Sequence, residues 1–182
     1  VTQAINAPQG VSVAYTDSIP LLAVLCRPLA AALGGTFQYF GWFTLVCFAL
    51  QGGFAALLCG LFAKGLAAPL AGSLVFAASP ILLERAFRHT SLGAQWLVLA
   101  ALYCYFVCRR QSRFASRGLF VINILAVGIH PYFLPMTYAV TLALLLEYAV
   151  QKRQWLRPAV YLGSNMVCTA ALGWALGLLY GT

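Results

Sequence analysis

Residues 84–91 read Glu84, Arg85, Ala86, Phe87, Arg88, His89, Thr90 and Ser91, a charged island between two long apolar runs. Guanidinium and imidazole groups hold anionic oxygens through charge-assisted hydrogen bonds, and an imidazole also moves protons near neutral pH. Two other places carry comparable groups: Asp17, in the stretch Tyr15, Thr16, Asp17, Ser18, Ile19, Pro20, and His130, in His130, Pro131, Tyr132. A carboxylate, two imidazoles and two guanidinium groups suit proton transfer at a substrate that bears a negative charge. Each has a structural alternative. Asp17 before Pro20 also reads as a helix N-cap. Glu84 with Arg88, and Arg85 with His89, stand four apart and would form ordinary surface pairs on a helix. His130 before Pro131 can simply hydrogen-bond in a turn. All of these readings stand side by side at the level of sequence.

The elements that must hold these groups are set by composition. Of the 182 residues 63% are hydrophobic and 8% charged, with a mean hydropathy of +0.89, far from the roughly one-quarter charged residues of a soluble domain. The apolar stretches do not alternate as barrel strands would, so the chain reads as an all-α, polytopic transmembrane helix bundle. Residues 1–18 read as a loop at one membrane face. Residues 19–33, interrupted by Arg27 and Pro28 and closed by Gly34 and Gly35, read as a short re-entrant or interfacial helix. About six membrane helices follow, over residues 37–63, 66–83, 92–108, 119–130, 133–150 and 158–180. The run starts at Val1 without a basic leader and stops as an apolar segment closes, so it is expected to be an interior piece of a longer protein.

Charge then predicts orientation. Arg109, Arg110, Arg113 and Arg117 crowd one loop, and Lys152, Arg153 and Arg157 another, which places both loops in the cytoplasm. Residues 118–150 between them must therefore cross twice, with His130 at the outer turn of a short ascending arm and below the headgroups. Asp17, Arg27, Glu84, Arg85, Arg88, His89 and His130 then gather on the extracytoplasmic side. The third acid, Glu147, is expected to reach Lys152 or Arg153 and has no assigned function. The net charge of +8 is thus a topological signal; basic residues flanking spans give no nucleic-acid surface. The six cysteines lie in apolar segments without a C-x-x-C pair, so no metal, cofactor or disulfide is expected.

Several stretches together carry a resemblance: residues 15–22, residues 37–41, Ser79 and Pro80, residues 88–92 with Gln95 and Trp96, and His130 to Tyr132. The chain resembles a family of bacterial multi-pass membrane proteins related to the GT-C glycosyltransferases, which use polyprenyl-phosphate sugars. The likeness spans nearly the whole chain. It implies a GT-C-like fold in the bacterial inner (plasma) membrane and a lipid-linked sugar donor. It also implies an extracytoplasmic glycan, lipid or protein as acceptor, and an acid in the first extracytoplasmic loop. Here Asp17 is the acid in a comparable loop, so it is the expected catalytic residue. Arg85, Arg88, His89, His130 and Tyr132 are the expected substrate-binding residues. Two other functions remain open to the same residues: a transporter or flippase of lipid-linked substrates, and a non-catalytic structural membrane subunit. A transporter calls for internal inverted repeats, and none is visible.

Overall fold

A computed structural model describes residues 16–34, 37–114 and 116–178. Most of the expected opening loop, residues 1–15, lies outside the described residues, as do the last residues of the expected 158–180 helix. Regular structure among the described residues is entirely helical. In chain order it comprises α1 (Pro20–Leu33), α2 (Phe40–Gly60), α3 (Ala67–Ala77) and α4 (Pro80–Arg88). A 3₁₀ turn over Thr90–Gly93 leads into α5 (Trp96–Arg110), α6 (Arg117–Ile129), α7 (Phe133–Lys152) and α8 (Leu156–Ala175).

Among the described residues four segments are long and apolar enough to cross a membrane: Phe40–Gly60, Ala67–Arg88, Thr90–Arg110 and Phe133–Lys152. The chain is therefore a membrane protein by the length and composition of its helices. Helix α6, with 13 residues, rises about 20 Å, short of the roughly 30 Å of hydrocarbon. Helix α8 has 20 residues, but Arg157, Ser164 and Asn165 dilute its apolar character, and it is not among the four. The second span is not one straight rod. Proline 80 has no amide hydrogen, so α3 closes at Ala77 and α4 restarts with Pro80 in its first turn. Glu84, Arg85 and Arg88 thereby sit on a helix and not in a surface loop.

Helix α5 is the hub. Half of its span is buried against other helices, against 6% of the α3–α4 span. Leu97, Ala100 and Ala101 of α5 pack with Phe43 and Cys47 of α2, Ile122 and Ala126 of α6, and Leu144 of α7. Helices α2 and α3 approach closely because Gly52 and Gly72 present no side chain: a Cβ there would stand 2.8 Å from Ser73 Oγ and 2.5 Å from Cys59 Sγ. Between α6, α7 and α8 the contact is polar. Asn123 Nδ2 donates to Thr141 Oγ1 at 3.1 Å and to Asn165 Oδ1 at 2.9 Å, with all three residues fully buried. Such bonds hold helices together where hydrocarbon surrounds them, since the alternative is an unsatisfied amide.

The ends of the bundle differ. At one end Glu147 pairs with Arg109 (2.9 Å) and accepts from Tyr105 Oη at 2.7 Å. The expected partners Lys152 and Arg153 are thus displaced: α5 packs beside α7, which puts Arg109 across from Glu147. Arg110 donates to the Leu61 carbonyl, tying α2 to the same end. At the other end lie the α4–α5 connection, the α6–α7 turn and both ends of α1. Helix α1 ends at Gly34, in the left-handed region at φ 65°, a conformation glycine adopts freely. The 14-residue α1 packs against α6 and, at about 1.5 Å per residue, is too short for a full crossing.

Helix α1 is seated on α6 at Gly128, where a Cβ would stand 3.0 Å from Leu21 Cβ. Gly128→Val is expected to destabilise the protein by about 1–3 kcal/mol through overpacking. Gly53→Ala, with nothing within 4 Å of the added Cβ, should be neutral or slightly stabilising. Unfolding in mixed micelles, followed by circular dichroism, compares the two.

Candidate functional site

Asp17 lies in a bend before α1, three residues ahead of Pro20, but it does not cap that helix. The N-cap of α1 is Ile19, which offers no side-chain hydrogen bond. The Asp17 carboxylate reaches across the fold. Thr90 N donates to Oδ2 at 2.8 Å, Ser91 N donates to Oδ1 at 3.1 Å, and Ser91 Oγ also donates to Oδ1. These amides open the 3₁₀ turn Thr90–Gly93, where backbone N–H groups have no partner within the turn. The expectation that Asp17 caps the helix before Pro20 is thus not met: its carboxylate is taken up by backbone amides 73 and 74 residues away in sequence. Ile19 and Ser91 are fully buried on either side of this junction.

His89 is the hinge between α4 and the 3₁₀ turn and is exposed. His130 closes α6 in extended geometry, with φ −157°. Its Nδ1 accepts from Tyr132 N at 3.3 Å, a bond within the turn to an amide where the turn reading has a backbone carbonyl. That bond leaves Nε2 as the protonated nitrogen of the neutral ring. The Tyr132 ring stands edge-on to it, 4.7 Å between centroids. Charges on two other chain segments, at Asp17 and His89, act on this imidazole. Burial pushes its pKa below the ordinary histidine range, the Asp17 carboxylate opposes that shift, and His89 adds to it.

Beside His130 opens a cavity of about 670 Å³ between α6, α7 and α8. His130 and Tyr132 stand in its wall with Val127, Leu134, Pro135 and Met166. Tyr138 and Thr169 also line it, their hydroxyls 2.9 Å apart. A mostly apolar hollow with a few polar groups is the common form of a small-molecule site. The structure thus gathers Asp17, His89, His130 and Tyr132. Arg85 and Arg88 lie on the last turn of α4, the first half-buried and the second exposed, and neither is in the cavity wall. Glu84 forms no ion pair with Arg88 among the described residues. No group of three or more His, Cys, Asp or Glu able to hold a metal ion occurs among the described residues.

Thr90, Ser91, Tyr138 and Thr169 were not singled out from sequence. Thr90 and Ser91 directly after a helix-ending histidine carried a signal, since such pairs start a new helical turn. Tyr138 and Thr169 carried none, because nothing in either helix alone brings the two hydroxyls together.

A family model described as a domain of unknown function, DUF6311, matches residues 1–182. The chain belongs to that family. No curated protein and no solved structure matches it.

Replacing Asp17 by Ala leaves the Thr90 and Ser91 donors without their acceptor. The expected loss is about 1–3 kcal/mol of stability, with faster amide exchange at Thr90 and Ser91 in hydrogen-exchange mass spectrometry. Asp17→Asn keeps an acceptor and should lose less. The His130 shift sets a second expectation. With its native pKa below the unfolded value of about 6.5, the unfolded chain takes up the proton first. Stability present above about pH 6.5 is therefore lost as pH falls toward the native pKa. Denaturation midpoints across that window should fall less steeply in His130→Gln than in the parent protein.

Proposed function

We propose that this DUF6311 chain is part of a membrane glycosyltransferase that moves a sugar from a polyprenyl-phosphate-linked donor to an acceptor on the extracytoplasmic side. The convergence of Asp17 and His89 on His130, at the wall of the 670 Å³ cavity, carries this reading. The arginine-rich end faces the cytoplasm of a bacterial cell under the positive-inside rule, and the His130 end lies across the bilayer. Helices α6 and α8 join the four long spans as shorter or more polar membrane helices, which makes six in a GT-C-like bundle.

In this mechanism the donor's hydrocarbon chain occupies the cavity and its phosphate lies at the mouth. The Nε2–H of neutral His130 points a donor at a phosphate oxygen, and His89 with Arg88 or Arg85 adds positive charge. The acceptor oxygen attacks the anomeric carbon, the bond from that carbon to the phosphate oxygen breaks, and the lipid phosphate leaves with the electron pair. The donors stabilise the charge that grows there. The proton of the acceptor hydroxyl passes to a carboxylate. Asp17 uses three of its roughly four acceptor positions to hold Thr90 and Ser91, so the remaining position on Oδ2 is the one able to take it.

Alanine substitutions at Arg88, His89 and His130 in the full-length protein test the reading, with transfer of radiolabelled hexose from a polyprenyl phosphate as the readout. Loss of one such donor typically slows transfer by about 100-fold or more. Normal transfer by folded His130→Ala protein would remove the cavity mouth from the chemistry.

A further inference from the structure

Two hollows flank α6. The cavity already described lies on the Val127 side. A second, a groove of about 450 Å³, lies between α1, α2 and α6 and touches Leu125 and Ile129. Residues 125 and 129 share one helical face, and 127 stands about 200° round from each, so the two hollows use opposite faces of one helix.

The groove is apolar almost throughout. Leu21, Leu25 and Leu29 of α1 face Phe43 and Val46 of α2, and the only lining groups with a hydrogen to donate are Cys26, Tyr39, Trp42 and Trp96. Tyr39 and Trp42 mark the start of α2, where amphipathic aromatic rings settle at the headgroup level. Several wall residues are open to the surroundings, among them Leu25 (64% exposed) and Val46 (51%). Around a bilayer-spanning α2 those surroundings are lipid chains and not water. The groove also runs up to the polar cluster. Ile129 immediately precedes His130, and Leu21 lies on the first turn of the helix that Asp17 leads into.

We propose that this groove holds one hydrocarbon chain of a membrane amphiphile whose polar head reaches the Asp17, His89 and His130 cluster. The acceptor of the transfer is then itself a lipid, a step that rests on the glycosyltransferase reading, whereas the chain site does not. Two chain-holding hollows on either side of one polar cluster place two amphiphiles head to head. A water-soluble acceptor would need no such groove.

The test uses full-length protein in nanodiscs containing phosphatidylglycerol with a diazirine on its acyl chain. After irradiation, crosslinks are mapped by mass spectrometry. Leu25, Leu29 and Val46 should be labelled several-fold above Leu74, an outward residue of α3 that is 71% exposed. Val46→Trp, which fills the groove at an exposed position, should remove that excess, while Leu74→Trp should not. Val46→Trp should also raise KM for a lipid acceptor on the order of tenfold with kcat held. Equal labelling at Leu74 and the groove, or labelling unchanged in Val46→Trp, overturns the chain site whatever happens to transfer. Groove labelling together with transfer only to water-soluble sugars overturns the lipid acceptor. Groove labelling with no sugar transfer at all supports the chain site and counts against the glycosyltransferase.

Discussion

The carboxylate of Asp17 is the tie on which the arrangement of this end of the protein depends. One side chain takes the amides of Thr90 and Ser91 and the Ser91 hydroxyl, and so joins the approach to α1 to the connection between α4 and α5. Hydrogen bonds to a charged acceptor are stronger than neutral ones, and buried donors left without a partner are expensive. Because α1 is seated on α6 by Leu21 against Gly128, the same tie sets how α1 meets the helix that carries His130. The α1 wall of the groove beside α6 follows from that placement.

The hydrocarbon environment explains the rest of the polar pattern. Helices alone satisfy their backbone there, and several of the polar side chains between them are answered by another helix. Asn123 finds Thr141 and Asn165, and Glu147 finds Arg109 and Tyr105. A single acid among the eight basic residues Lys64, Arg109, Arg110, Arg113, Arg117, Lys152, Arg153 and Arg157 leaves that end strongly positive, as suits contact with anionic headgroups. The opposite end has few charges but places them close together, beside a cavity with an apolar wall. An excess of basic residues at one end and a cluster of acid and imidazole at the other give the molecule its polarity.

Membership of a family defined as a domain of unknown function supplies no chemistry of its own, so the functional reading stands on the cavity and the cluster. In the proposed mechanism Asp17 has two roles. A carboxylate that organises a turn through three hydrogen bonds is also held at a defined place, and one open acceptor position is enough for a single proton. Pre-organisation of this kind is what catalytic groups require.

Helical class, membrane residence and the separation of basic from acidic and imidazole groups were legible in the residues themselves, because they depend on composition, run length and the cost of charge in hydrocarbon. The glycine at 34 likewise announced where α1 stops, whereas the break before Pro80, inside the expected 66–83 helix, was shown only by the structure. What the chain could not reveal alone was which polar groups meet. Asp17 finds Thr90 and Ser91, Asn123 finds Asn165, and Glu147 finds Arg109 in preference to the neighbouring Lys152 and Arg153. Each of these pairings spans a long stretch of sequence and is selected by which helices pack side by side. The cavity and the groove belong to the same class: a hollow has no residues of its own, and it exists only where the shapes of three helices fail to fill the space between them.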